Sequence, residues 1–69
     1  MLIKKSFTLS GHRTSTALEA EFWAVLEAEA RRNAQSLPAL VKSVDEMRGE
    51  RPLASALRLA ALAAAMRSP

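Results

Sequence analysis

A short strand pattern that runs straight into a helix pattern constrains this chain more than any other feature of its sequence. Residues 12–18 alternate between two faces, as a strand with one buried side does. One face carries Thr14, Thr16 and Leu18, and the other carries Arg13, Ser15 and Ala17. A lone strand leaves backbone N–H and C=O groups unpaired, and the same strand of a second chain can pair with them. The pattern therefore predicts an obligate homodimer whose two strands form one antiparallel ribbon.

The size of the chain also favours association. It has 69 residues and no cysteine, and its single histidine argues against a zinc site. Domains this small usually need disulfides, a metal or oligomerisation to reach a sufficient core. We therefore expect one domain over residues 1–69, without metal or cofactor, that is completed by a second copy.

Charge is distributed unevenly along the chain. The first 18 residues contain Lys4, Lys5 and Arg13 and no acid, although the net charge of the whole chain is only +3. The acids of the next stretch are Glu19, Glu21, Glu27 and Glu29. A basic segment of this kind either faces phosphates or is simply solvated. Charge alone leaves both readings open.

Neither end of the sequence resembles a membrane segment. The two lysines near the N-terminus are followed by residues 6–11, which are too polar for the core of a signal peptide. The apolar run at 53–66 is interrupted by Ser55 and Arg58, and it is shorter than the roughly 20 residues that span a bilayer. We therefore expect a cytoplasmic protein with no membrane partner.

Three helices are predicted after the strand. They cover residues 19–33, 36–49 and 52–67. Asn33 is a candidate left-handed terminator of the first helix, Ser36 a candidate N-cap of the second, and Gly49 its end. The apolar stripe of the first helix is formed by Phe22, Trp23, Leu26 and Ala30.

Residues 1–10 allow two structures. Ser10 and Gly11 are typical of a turn, so this segment can pair with the following strand as a hairpin. A dimer built on two hairpins would have a four-stranded sheet about 14 Å across, since strands lie about 4.8 Å apart. The DNA major groove is only about 12 Å wide. Either the segment leaves the sheet and contacts the DNA backbone as a basic arm, or the four-stranded sheet binds a protein instead of DNA.

The order of these parts resembles that of the ribbon-helix-helix superfamily of MetJ/Arc-type proteins. The closer likeness is to a small bacterial ribbon-helix-helix domain family that has a Ser-Phe-Thr-Leu-x-Gly-His-Arg-Thr-Ser segment, here residues 6–15. The likeness continues through residues 18–19, 22–23, 36–41 and 55–58. It implies a mainly α fold with a short β-ribbon, in the form of a ribbon-helix-helix homodimer with an extra C-terminal helix. An extra N-terminal strand is possible, as an alternative to the basic arm.

The resemblance also implies a set of site residues. The outward strand residues Arg13, Ser15 and Ala17 would contact base edges, since arginine bonds guanine, serine bonds several bases and alanine can meet a thymine methyl. Backbone amides at Ser36 and Leu37 would contact phosphate. As an arm, residues 1–9 would add Lys4 and Lys5 to the phosphate contacts.

The function that these expectations indicate is sequence-specific binding of double-stranded DNA by a transcriptional regulator. The alternative is a dimeric protein-interaction module, antitoxin-like or an adaptor, without specific DNA readout. Enzymatic activity is not expected, because the sequence has no glycine-rich phosphate loop, nucleophile motif or paired carboxylate site. His12 has no acid or cysteine beside it in the sequence, so no catalytic or ligand role is assigned to it.

Overall fold

The structure is a computed structural model and describes residues 1–67. These residues form a β-hairpin followed by a layer of helices. The elements are β1 (Leu2–Leu9), β2 (His12–Glu19), α1 (Ala20–Arg32), α2 (Leu37–Met47) and α3 (Leu53–Arg67). The prediction of a mainly α fold with a short β-ribbon is confirmed. The predicted bounds of the helices differ from the observed ones by at most two residues.

The two strands pair with each other inside one chain. They are antiparallel, and the pair Leu9 and His12 closes the hairpin. Ser10 and Gly11 have φ angles of 52° and 80°, which are the positive values that a tight two-residue hairpin turn requires. The N-terminal segment is therefore an extra strand in this structure and not an arm. The premise that β2 is a lone strand does not hold.

The inward face of the hairpin forms one side of the core. Phe7, Leu9 and Leu18 are buried there, and Thr16 is buried beside them. The helices contribute Trp23, Leu26, Val41, Leu57 and Ala61 to the same cluster. The indole Nε1 of Trp23 donates a hydrogen bond of 2.7 Å to the backbone carbonyl of Ile3, so the polar group of this buried ring is satisfied.

One chain closes this core without a second copy. Its radius of gyration is 11.3 Å, and a compact domain of this length is expected to have about 11 Å. Its accessible surface is 4600 Å², against about 4,250 Å² for a compact monomer of this mass. The shape therefore gives no support to the prediction that a folded monomer cannot exist.

The end of α1 shows a local conformation that the sequence pattern did not indicate. The left-handed residue is Ala34, with φ of 55°, whereas Asn33 has φ of −95°. The Gln35 amide donates to the Ala30 carbonyl at 2.9 Å, and the Ala34 amide donates to the Arg31 carbonyl at 3.1 Å. These two bonds form a Schellman motif, which needs a left-handed residue where Ala34 lies. The prediction that Asn33 takes this conformation is wrong.

Replacing Ala34 with glycine is expected to stabilise the protein. A left-handed L-residue is strained by roughly 1–2 kcal/mol, and glycine removes that strain at the expense of about 0.4–1 kcal/mol of unfolded-chain entropy. We expect a net gain of about 0.5–1 kcal/mol in the free energy of unfolding, measured by urea denaturation. Ala28→Gly, at an exposed position inside α1, is the control and should cost about 1 kcal/mol. Equal effects of the two substitutions would contradict the assignment of strain to Ala34.

Candidate nucleic-acid interface

The outward face of the hairpin is a polar surface that both strands share. Its polar part comprises Lys4, Ser6 and Thr8 of β1 and Arg13, Ser15 and Ala17 of β2, and this set is called the outward face below; the pair of Leu2 and Glu19 lies on the same side at the end away from the turn. The cross-strand neighbours are Lys4 with Ala17, Ser6 with Ser15, and Thr8 with Arg13. Ala17 is half-buried and the others are exposed. The strand alternation that places the core residues inward therefore brings the three predicted base-contact residues onto one surface.

Two hydroxyl groups meet at the centre of this face. The Oγ atoms of Ser6 and Ser15 are 2.8 Å apart, and either can donate the hydrogen bond. Because a hydroxyl has one donor and two acceptor sites, the pair keeps hydrogen-bonding capacity for an incoming group. Lys4 and Arg13 make no ion pair within residues 1–67. The face thus combines hydroxyl groups with two cations that have no carboxylate partner among those residues.

The acid at the end of β2 is neutralised within the chain. The Nε of Arg58, on α3, donates a hydrogen bond of 3.0 Å to the Oε1 of Glu19, and the Nη2 of the same guanidinium is 3.0 Å from that oxygen as an ion pair. A hydrogen bond from its own backbone amide, and then the bond from Arg58, hold the pKa of Glu19 below its ordinary value. The carboxylate is therefore charged at neutral pH and paired. The hairpin remains a net positive surface.

The two neighbouring lysines of β1 point to opposite faces. Lys4 lies on the outward face, whereas Lys5 is half-buried on the inward side. The Nζ of Lys5 is 4.0 Å from Glu27 Oε2 and 5.7 Å from the centre of the Trp23 ring. A strand period of two makes this divergence unavoidable for adjacent residues. Only Lys4 shares a surface with Arg13.

The start of α2 carries the other predicted phosphate contacts, Ser36 and Leu37. Ser36 is its N-cap, as predicted, and its Oγ accepts a hydrogen bond of 3.2 Å from the Ala39 amide. The Leu40 amide donates to the Ser36 carbonyl, and Pro38 has no amide hydrogen. The amides that remain for a phosphate are those of Ser36 and Leu37, so this helix end offers fewer donors than most.

The hydroxyl residues of β1, Ser6 and Thr8, are the part of the outward face that the sequence analysis missed. The predicted base contacts all came from β2, because residues 1–9 were treated as an edge strand or an arm. Ser6 and Thr8 alternate with Phe7 and Leu9, which is the signal that would have placed them on the outward face. The hairpin register sets both beside predicted contact residues.

These features define a small helical domain that presents a polar β-ribbon. The chain belongs to the ribbon-helix-helix domain family, whose pattern it matches over residues 2–65. Members of this family are generally DNA-binding transcription regulators or antitoxins, they typically dimerise, and their fold is not an enzymatic one. Comparisons with curated proteins and with solved structures gave no match.

The helices of the described region are too short or too polar to cross a bilayer. Among residues 1–67 no helix has the length and apolar character of a membrane span.

Proposed function

We propose that this protein binds double-stranded DNA through the outward face of its hairpin and regulates transcription in the cytoplasm of a bacterial cell. The observation that carries the proposal is the composition of that face. It is exposed, it is rich in hydroxyl groups, and it carries the cations Lys4 and Arg13 without a carboxylate partner within residues 1–67. DNA binding requires such cations for the phosphates and hydrogen-bonding groups for the base edges.

The width of the hairpin supports entry into the major groove. Two strands lie about 4.8 Å apart, and the groove of about 12 Å admits a two-stranded ribbon. Pairing of β2 with β2 of a second copy would give four strands and about 14 Å, which is too wide. The intramolecular hairpin therefore takes the reading role that the sequence pattern assigned to a ribbon between chains.

The roles of individual residues follow from their chemistry. Arg13 suits a bidentate contact with guanine O6 and N7, Ser15 suits several bases, and Ala17 suits a thymine methyl. The phosphate contacts proposed for Lys4, Lys5, Ser36 and Leu37 differ in availability. Lys4 lies on the outward face with Arg13. The amides of Ser36 and Leu37, at the start of α2, form a second contact point, and Lys5 would first have to leave Glu27.

Selection from random DNA duplexes, followed by a salt titration on the enriched sequence, tests the proposal. We expect an enriched site, and an affinity that falls steeply as salt rises, because each phosphate contact releases counterions. If no sequence is enriched and the affinity for DNA is weak at low salt, the proposal is overturned. The alternative of a protein-interaction module, antitoxin-like or an adaptor, would then be favoured.

Arg13→Ala gives the sharpest test of the assigned face. Arg13 is exposed, so folding should be unchanged, while binding to the selected site should weaken by about 1–3 kcal/mol and the preference at one base pair should relax. Arg51→Ala is the control, since it removes the same charge from the exposed connection between α2 and α3. If the two variants bind alike, general charge is responsible and Arg13 does not read a base.

A further inference from the structure

A groove between α2 and α3 lies where these two helices are connected. Its volume of about 340 Å³ is within the range of about 300–1,000 Å³ that small-molecule sites occupy. Met47 and Leu59 line it and are 86% and 46% exposed, so the groove presents an apolar surface to solvent. The apolar lining comes from the last turn of α2 and the first two turns of α3, namely Val44, Met47, Ala56, Leu59 and Ala60.

Two arginines, Arg48 and Arg51, complete the lining of this groove. Arg48 is held in place, because its Nε donates to Oδ1 of Asp45 and its Nη1 donates to the backbone carbonyl of Arg51, both at 2.7 Å. Arg51 donates from Nη1 to the Ser55 hydroxyl at 3.3 Å and has no carboxylate partner within residues 1–67. Since a guanidinium carries five N–H donors, both arginines keep donors for an incoming anion.

The charge that remains at the groove suits a ligand with a single negative charge. Asp45 neutralises Arg48, whereas no ion pair among the described residues balances the charge of Arg51. The nearby acids Glu46 and Glu50 are exposed and do not line the groove. A dianion such as a phosphate monoester would need a second free cation, and a cationic ligand would be repelled by Arg51. A monoanion with an apolar body therefore matches both the arginines and the rest of the lining.

The short length of the groove favours a small molecule over a partner helix. Ala56 and Ala60 are about one turn apart, which is roughly 6 Å along a helix axis. A helix that docks in a groove uses anchors over about seven residues, or roughly 10 Å. The other exposed apolar residues of α3, Leu62 and Met66, do not line the groove. The recess thus matches a short alkyl chain.

We propose that this groove binds an aliphatic monocarboxylate of short to medium chain length. The alkyl chain lies against the apolar lining, where Ala56 and Ala60 leave the space and the flexible Met47 adapts to the chain. The carboxylate accepts hydrogen bonds from Arg51 and from Nη2 of Arg48. Such charge-assisted bonds are about twice as strong as neutral ones, so they fix the orientation of the ligand. No residue of the hairpin lines the groove, so this site is separate from the proposed DNA-binding face.

Methyl NMR spectroscopy of the full chain, labelled at its three methionines, tests the site with octanoate as the probe. Met47 lines the groove, whereas Met66 lies further along α3 and Met1 precedes β1. Below its micelle concentration, octanoate is expected to shift the Met47 methyl group saturably, with a Kd of about 1 mM or lower, and to leave Met1 and Met66 unmoved. Octanol has the same chain without the charge and should bind about tenfold more weakly. Octyltrimethylammonium should bind more weakly still.

Three variants assign the binding to the groove. Arg51→Ala should weaken octanoate binding about tenfold and leave octanol binding unchanged, because it removes only the cation, and Arg51 is exposed, so folding should be unaffected. Arg31→Ala is the matched control, since Arg31 is an exposed arginine of α1 that does not line the groove, and it should bind octanoate as the parent does. Ala60→Phe fills the groove and should abolish binding of both ligands, with thermal melts as the check on folding.

Four outcomes would overturn the proposal. The first is that octanoate leaves Met47 unmoved, and the second is that octanoate and octanol bind alike, since Arg51 would then not recognise the carboxylate. The third is an equal shift of Met47 and Met66, which would show that the amphiphile coats the exposed side of α3. The fourth is a shift of both by an acidic amphipathic helical peptide but not by octanoate, which would identify a protein helix as the occupant. None of these outcomes depends on DNA binding.

Discussion

Deleting residues 1–9 is expected to unfold the protein. These residues form β1, which contributes Phe7 and Leu9 to the core, exposed by only 6% and 4%. They also supply the carbonyl of Ile3 that accepts the Trp23 hydrogen bond. Without β1, the indole group would lose its partner and β2 would lose its only strand neighbour within residues 1–67. The deletion therefore removes part of the core together with the pairing of the remaining strand.

The stability that the deletion removes is comparable to the total stability of the domain. Burial of a phenylalanine or leucine side chain contributes about 1.5–3 kcal/mol, so the two together contribute about 3–6 kcal/mol. A domain of this length has a total stability of about 3–10 kcal/mol. Since the lost hydrogen bond and strand pairing add to the first figure, the truncated chain is expected to show no cooperative thermal transition by circular dichroism.

Two variants separate this structural role from that of a basic arm. Replacing Phe7 and Leu9 with serine keeps both lysines and should unfold the chain as the deletion does. Lys4→Ala removes an exposed charge and should leave the melting temperature nearly unchanged. A truncated protein that melts cooperatively and binds the same DNA site with a shallower salt dependence would show that residues 1–9 are an arm after all.

Leu26→Ala is expected to lower the free energy of unfolding by about 2–5 kcal/mol. Leu26 is 1% exposed and lies in the core cluster with Trp23 and Leu57. Truncation there loses the burial of the removed carbons and leaves a cavity between α1 and its neighbours. Urea denaturation by fluorescence of the single tryptophan measures the change.

The control for this substitution removes the same atoms from an exposed position. Leu2→Ala, at a residue that is 53% exposed, should change the free energy of unfolding by less than about 0.5 kcal/mol. If the two variants lose equal stability, then Leu26 does not lie in the core, and the apolar stripe of α1 has been assigned to the wrong side of the helix.

The sequence by itself determined the local features of this protein. Ser10 and Gly11 predicted the hairpin turn, because few residue pairs accept positive φ at two consecutive positions. Ser36 predicted the start of α2, because its hydroxyl caps a free amide. Arg13 and Ser15 were assigned to the exposed side of β2, since side chains in a strand alternate and Leu18 had to be inward. Each of these depends on residues within a few positions of one another.

Only the tertiary structure decided what each surface meets. The pattern of β2 required a strand partner but did not specify whether it came from the same chain, and the hairpin supplied it at the low entropic cost of a two-residue loop. The contact of Lys5 with Glu27 depends on how the hairpin packs on α1. The α3 segment is apolar on all sides of the helix, so its sequence does not show which side is left exposed. Burial is a property of the packed elements together, so a periodic pattern shows which residues share a face but not what covers it.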